Sequence, residues 1–336
     1  MKNADFLTGI TTSGTPHLGN YVGAIRPAVE SSKNPDLTSY YFLADYHSLI
    51  KNHDPKKRRQ SALEIAAAWI ALGLDYENCV FYRQSDIPEI PELTWILTCL
   101  TAKGLMNRAH AYKGAVQENE SDKNADPDKG ITMGLFSYPI LMAADILMFN
   151  ARKVPVGKDQ VQHLEMTRDI AARFNHQYKK LFILPEVVVD ESSAVLAGLD
   201  GRKMSKSYNN FIPLFDTQER LRKMVMKIAT NSLGPDEPKD PATCTLFSIY
   251  KAFASESETC TMAERYARGI AWGTMKQELF EMINAVLIEP RTRYDELIQN
   301  PGDIEAILKA GAVKARQFSI PFLDKIRKSI GIQSLG

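Results

Sequence analysis

Cysteine is scarce in this chain of 336 residues: there are four, and no two stand close enough to make a C-x-x-C pair. The scatter of Cys79, Cys99, Cys244 and Cys260 argues against a disulfide framework, a cysteine zinc site or an iron–sulfur cluster, so no protein-bound zinc or cluster is expected. An excess of charge is lacking too, with 41 Lys and Arg against 40 Asp and Glu. No bulk field therefore draws the chain to nucleic acid, and any such partner needs a local basic face. Runs of about 18 apolar residues are absent, which speaks against a transmembrane helix. The opening Met1-Lys2-Asn3-Ala4-Asp5 lacks the basic-then-apolar order of a secretory signal. These absences lead to the expectation of a globular, cytoplasmic protein. No internal repeat is visible.

What is present has the rhythm of an α/β fold. Short apolar strands are expected at 6–10, 40–44 and 79–82, alternating with helix-patterned segments that imply a parallel sheet. The continuous apolar character of 40–44 marks a strand buried on both faces. Helices are expected at 17–30, from Asp54-Pro55 to Gly73, and at 92–103, 135–149 and 158–174. The polar stretch 114–130, with Glu118, Asn119, Glu120, Ser121, Asp122, Lys123 and Asn124 in succession, is expected to be a mobile surface loop. Beyond Pro213 only helix-period segments follow, beginning at the capping sequence Asp216-Thr217-Gln218-Glu219. The length and this change of character divide the chain into 1–212 and 213–336.

Two short motifs carry chemistry. His17-Leu18-Gly19-Asn20 stands where a loop gives way to a helix, whose free N–H groups and positive dipole end suit a phosphate. His17 and Asn20 add side-chain donors, and Gly19 lets a nucleotide approach the backbone. Lys203-Met204-Ser205-Lys206-Ser207 follows the Gly-flanked Gly198-Leu199-Asp200-Gly201-Arg202. Its two lysines can reach one polyphosphate and neutralise charge on departing pyrophosphate, while the loop closes and reopens.

In this order, the motifs resemble the paired H-I-G-H and K-M-S-K-S signatures of class I aminoacyl-tRNA synthetases. Asn20 departs from the second histidine and keeps a hydrogen-bond donor without an imidazolium. Three further segments are similar to the tryptophanyl-tRNA synthetases in particular. They are Gly19-Asn20-Tyr21-Val22-Gly23-Ala24, the run from Tyr138-Pro139 to Asp145-Ile146-Leu147, and Val154-Pro155-Val156-Gly157-Lys158-Asp159-Gln160 with His163, Glu165, Thr167, Arg168 and Asp169. The chain also has no room for the editing insert of the enzymes for small aliphatic amino acids.

The resemblance implies a Rossmann-like doubly wound parallel sheet followed by an all-helical C-terminal domain that binds the anticodon. It implies a bacterial-type tryptophan-tRNA ligase using ATP with Mg2+ as its substrate complex, and a homodimer formed through helices at about 92–175. His17, Asn20, Lys203 and Lys206 would be catalytic. Gly9, Thr11, Gly19, Asn20, Gly157, Asp159, Lys203, Met204, Ser205, Lys206 and Ser207 would face ATP, with Thr11 standing near a position where the family has a glutamine. Phe6, His47, Tyr138, Met142, Asp145, Val154, Val156 and Gln160 would hold tryptophan. Within that set, Tyr138 and Gln160 would take the α-amino group, and Asp145 would read the indole N–H. A carboxylate among Met142, Ala143, Ala144, Ile146 and Leu147 is costly unless it has a partner, which agrees with that role.

For tRNA, basic candidates are Arg220, Arg222, Lys223, Lys227, Arg291, Arg293, Lys314, Arg316 and Lys325, although a solvated helix face explains each one equally well. Two other readings share these signatures. A tyrosyl-tRNA synthetase would need a hydroxyl-reading Tyr/Asp pair, which is not evident. A non-catalytic paralogue binding nucleotide or tRNA would have been free to lose the lysine loop.

Overall fold

The computed structural model describes residues 3–12, 14–121, 126–157, 160–189 and 196–335. Five strands form one sheet: β1 (Phe6–Thr11), β2 (Ser39–Ala44), β3 (Val80–Arg83), β4 (Lys153–Val156) and β5 (Glu186–Val189), in the spatial order β3-β2-β1-β4-β5. Every pairing is parallel. All six positions of β2 are buried, as expected for a central strand covered on both faces. Its side chains alternate between two cores, with Tyr41 and Leu43 on one face and Tyr40, Phe42 and Ala44 on the other.

The run from β1 to β2 is α1 (Leu18–Asn20), a π-helical turn (Tyr21–Ile25) and α2 (Arg26–Ser32). The short α3 (Asp45–Ser48) and the long α4 (Pro55–Ala71) lead to β3. Asp54 caps α4 by accepting the backbone N–H groups of Lys56 and Lys57, and Pro55 takes the first helical position. Between β3 and β4 lie α5 (Glu89–Leu100), α6 (Lys103–Met106), α7 (His110–Glu120) and α8 (Met133–Met148); α9 (Val161–Gln177) leads to β5.

The strand order reverses between β1 and β4, where chain connections leave in opposite directions. In an open α/β sheet that switch point leaves a crevice beyond the carboxyl ends of the strands, where ligands bind. The fold therefore puts the ends of β1 and β4 beside the site before any side chain is considered.

The chain after 213 is α10 (Gln218–Met226), α11 (Thr245–Phe253), α12 (Glu256–Arg268), α13 (Trp272–Gln299) and α14 (Pro301–Ser329), with no strand among the described residues there. Thr217 caps α10 through the N–H of Arg220, within the anticipated capping sequence. These helices do not stand apart from the sheet. One core runs from Trp69 and Phe81 through Leu221, Leu279 and Leu287. The helix α14 crosses β3 so closely that a Cβ on Gly311 would collide with the Phe81 carbonyl. Arg316 pairs with Glu89 at 2.9 Å and Arg327 with Glu92 at 2.6 Å, fastening α14 to α5.

Two expectations need correction. The polar stretch 114–130 begins as helix: α7 continues to Glu120 with no buried residue. Tyr112 bonds Asp128, and Asn119 bonds the carbonyls of Pro127 and Lys129, while Asp122, Lys123 and Asn124 lie outside the described residues. Strands β4 and β5 have no counterpart among the expected strands. Each is four residues long and β4 contains Pro155, so neither shows the alternation that identifies a strand.

Candidate active site

A cavity of about 1510 Å³ opens at the switch point, larger than the roughly 300–1,000 Å³ of most ligand pockets and roomy enough for two substrates. Phe6, Gly9 and Thr11 line it from β1, Val154, Val156 and Gly157 from β4 and the turn after it. His47 enters from α3, Tyr138, Met142 and Asp145 from α8, and Gln160 from the start of α9. All eight residues expected around tryptophan thus meet in one space. Gly9 is small because a Cβ there would run into the Phe42 ring.

Asp145 is the chemical focus. It is 1% exposed, and burial raises its pKa above the usual carboxylate value, while bonds from His47 and Gln84 pull it back down. Its Oδ2 lies 2.9 Å from Nε2 of His47, and Gln84 donates from Nε2 to Oδ1 at 2.7 Å and Oδ2 at 2.9 Å. Gln84 is itself fully buried, and its carbonyl oxygen accepts the backbone N–H of Tyr46. Sequence reasoning missed Gln84, although a glutamine just beyond an apolar strand in Phe81-Tyr82-Arg83-Gln84 is a polar group that burial would force to find partners.

Tyr138 and Gln160 are joined through His163. The Tyr138 hydroxyl lies 2.8 Å from Nε2 of His163, whose Nδ1 lies 2.9 Å from Oε1 of Gln160. An amide oxygen only accepts, so Nδ1 carries the proton and Nε2 accepts from the tyrosine. This buried histidine, which had no separate role in the sequence reading, sets the two groups that face the cavity.

The two signature motifs form a second cluster at the cavity's edge. Leu18 donates its backbone N–H to Ile212 at 3.0 Å and Leu214 donates to Pro16 at 3.0 Å, across an isolated bridge between His17 and Pro213. His17 caps α1: its Nδ1 accepts from the Asn20 N–H, and Asn20 Oδ1 accepts from the His17 N–H. With Nδ1 accepting, the ring proton sits on Nε2. Burial, aided by the positive charge of Lys206, depresses the His17 pKa to about 4, so the ring is neutral at pH 7.

Lys206 starts a short 3-10 turn that Ser205 caps through the N–H of Ser207. Its Nζ would lie 3.1 Å from a Cβ on Gly14, a residue with φ +74° that lines the cavity, so the lysine reaches the cavity wall. Lys203 and Ser207 are exposed, whereas Met204 is 4% exposed and packs on Gly19. The space a Cβ of Gly19 would need is taken by the His17 ring, so its smallness here serves motif packing. His17, Gly19, Asn20, Lys203, Met204, Ser205, Lys206 and Ser207 do not line the cavity itself, and Asp159 lies outside the described residues.

Asn210 organises this loop and was also missed. It is 2% exposed, accepts the Ser205 N–H at 2.8 Å and donates to Asp200 at 2.6 Å and to the Lys203 carbonyl at 3.1 Å. Several of the candidate basic residues are engaged within the fold. Lys314 donates to the carbonyls of Tyr76 and Glu77, Arg316 to Glu89, Arg291 to Asn284, Arg222 to Gln277, and Arg220 to Asp216. Lys223, Lys227, Arg293 and Lys325 are exposed. Among the described residues no group of three or more His, Cys, Asp or Glu is arranged to hold a metal ion, and no helix is long and apolar enough to cross a membrane.

Residues 1–288 match the family model described as tRNA synthetases class I (W and Y). The chain is 59% identical over 335 residues to the tryptophan–tRNA ligase of Neisseria meningitidis, covering 100% of both proteins. It is 58% identical over 332 residues to that of Pseudomonas aeruginosa, covering 98% of this chain and 74% of the relative. Among solved structures, the tryptophanyl-tRNA synthetase of Campylobacter jejuni, complexed with ADP and tryptophan, is 42% identical with a TM-score of 0.86 over 97% of this chain and 99% of that one.

Proposed function

The chain belongs to the class I tRNA synthetases for tryptophan and tyrosine, and within that family we propose that it activates tryptophan with ATP and transfers it to the terminal adenosine of its tRNA. It is an aminoacyl-tRNA synthetase, a ligase. The observation that carries the choice of tryptophan is Asp145, a buried carboxylate on the cavity wall alongside the apolar Phe6, Met142, Ile146 and Val154. Indole presents a large apolar body and a single donor, and this wall offers apolar contact with one strong acceptor.

Phe6, Met142, Val154 and Val156 surround the ring in this reading, with His47 beside Asp145. Tyr138 and Gln160, oriented by His163, take the α-amino group. The carboxylate then faces Gly9, Thr11 and the motif cluster, where MgATP is held with its Mg2+ carried on the phosphates. A carboxylate oxygen attacks the α-phosphorus, the bond to the bridging oxygen of pyrophosphate breaks, and tryptophanyl-adenylate forms. The protein contributes position and charge: the neutral His17 donates from Nε2, Asn20 from its amide, and Lys203 and Lys206 neutralise the departing pyrophosphate. In the second step a ribose hydroxyl of the tRNA attacks the acyl carbon, AMP leaves, and the hydroxyl proton passes to the phosphate or solvent.

Three further features belong to the same proposal. The helices 213–336 form the anticodon-binding part, with Lys223, Lys227, Arg293 and Lys325 as phosphate contacts. A homodimer forms through the helices of about 92–175, where Trp95 is 69% and Met133 is 73% exposed. The enzyme works in the cytoplasm. The test is charging of bulk bacterial tRNA with labelled tryptophan or tyrosine. Acid-precipitable label from tryptophan alone is the expected result; label from tyrosine would overturn the reading.

A further inference from the structure

Asp145 reads an indole N–H most strongly when its carboxylate is ionised and a lone pair faces the cavity, and burial alone works against the first condition. The surrounding groups show how both are met. Tyr46 donates its backbone N–H to the Gln84 carbonyl at 3.1 Å, which fixes the amide so that its NH2 faces Asp145. That NH2 then spans both carboxylate oxygens, and His47 lies against Oδ2 only. A carboxylate offers about four lone-pair sites, so Oδ1 keeps one free of these bonds. Gln84 itself does not line the cavity, so it touches Asp145 and not the ligand.

Its own position is held from outside the site. Arg83, the residue before it, bonds Glu305 on α14 and Asp86 at the end of the short 3-10 turn Gln84–Asp86, and Ser85 donates its N–H to Asp45. The titratable groups around Asp145 are His47 and Asp45 on α3 and Tyr82 on β3.

We propose that Gln84 is the positioning residue for tryptophan recognition: its amide clamps the Asp145 carboxylate so that Oδ1 is presented to the indole N–H. The inference rests on the tryptophan-activating reading and adds to it the origin of the acceptor's orientation and charge. Replacing the amide by an apolar chain of similar length removes the donor. The carboxylate then rotates, and it binds a proton more readily.

The test compares wild type with Gln84→Met and Gln84→Glu in amino-acid-dependent pyrophosphate exchange, using tryptophan and benzothienylalanine, in which a ring sulfur replaces the indole N–H. Wild type should favour tryptophan by about 10- to 100-fold in kcat/KM, as expected for a hydrogen bond to a charged acceptor. In Gln84→Met that preference should fall to within about threefold, through KM for tryptophan, and the acid limb of the tryptophan profile should move up by about one pH unit. Gln84→Glu keeps the shape but sets a second carboxylate against Asp145. While the pair shares a proton the introduced carboxyl still donates to Asp145, so the preference should survive at low pH and be lost as pH rises and that proton leaves, a readout that stands even if the Met variant fails to fold. A folded variant that loses activity equally toward both amino acids, with an unmoved acid limb, has lost only packing and would overturn the role. A wild type that exchanges with neither would overturn this inference together with the reading beneath it.

Discussion

Leu18 and Ile212 share a backbone hydrogen bond of 3.0 Å, which ties the first signature motif to the segment that follows the second. The helix start at His17 and the base of the lysine loop are thereby one unit, and Lys206 reaches over it toward Gly14 and Glu64.

Lys206 is half-buried, and burial lowers its pKa while Glu64 opposes that shift. Its charge is useful mainly when pyrophosphate departs. Replacing it by alanine should lower the rate of adenylate formation by about 100- to 1,000-fold while leaving tryptophan affinity within a few-fold. Single-turnover kinetics beside equilibrium tryptophan binding would separate the two, and equal losses in rate and affinity would contradict the role.

Asp145 has a pKa raised by burial, so the native state holds this proton more tightly than the unfolded chain does. Stability from this group is therefore full below the unfolded carboxylate value and is lost as pH rises through the native one. Asp145→Asn should have a thermal midpoint at pH 7 equal to or above that of wild type, with the advantage disappearing near pH 4. The same variant should weaken tryptophan binding by about 10- to 100-fold, since a charged acceptor becomes neutral. A large loss of thermal stability at pH 7 would show that the carboxylate is needed by the fold.

His17 titrates in the opposite sense. Its native pKa of about 4 lies below the unfolded value near 6.5, so stability is lost as pH falls through that window. His17→Gln should flatten the decline of the denaturation midpoint between about pH 6.5 and 4. Since the ring is already neutral, it should contribute no limb near pH 6.5 to the rate of adenylation. Parallel stability profiles for the two proteins would place the loss elsewhere.

Asn210 offers a different check, because it touches no part of the cavity. Asn210→Ala leaves the part-buried Ser205 N–H and Lys203 carbonyl without this partner, a cost of about 0.5–1.5 kcal/mol. The loop should then be cleaved faster by trypsin near Lys203, and adenylation should slow with little change in tryptophan affinity. Unchanged proteolysis would mean that the loop is organised by other contacts.

Much of this was legible in the residues themselves. The apolar run of β2, the Asp54-Pro55 start of α4, the capping at Thr217 and the helical character beyond Pro213 are local signals, and the structure repeats each of them. The eight residues expected around tryptophan came from four separate segments through resemblance, and they do converge on one cavity. What stayed hidden depends on contacts between distant segments. Gln84 and Asn210 matter through bonds to partners that folding alone brings near, and no spacing announces them. Arg316 looked like a free cation until α14 was seen to lie on α5, where Glu89 takes its charge. The part of α7 from Gly114 to Glu120 was read as loop because its polar sequence has no buried face to supply a period.

The central claim is that the Asp145 wall selects tryptophan for adenylation, and amino-acid-dependent exchange of labelled pyrophosphate into ATP tests it most directly. With tryptophan, tyrosine and no amino acid compared side by side, the account predicts exchange with tryptophan alone. Exchange driven by tyrosine, or none with either amino acid in folded protein that binds ATP, would contradict it.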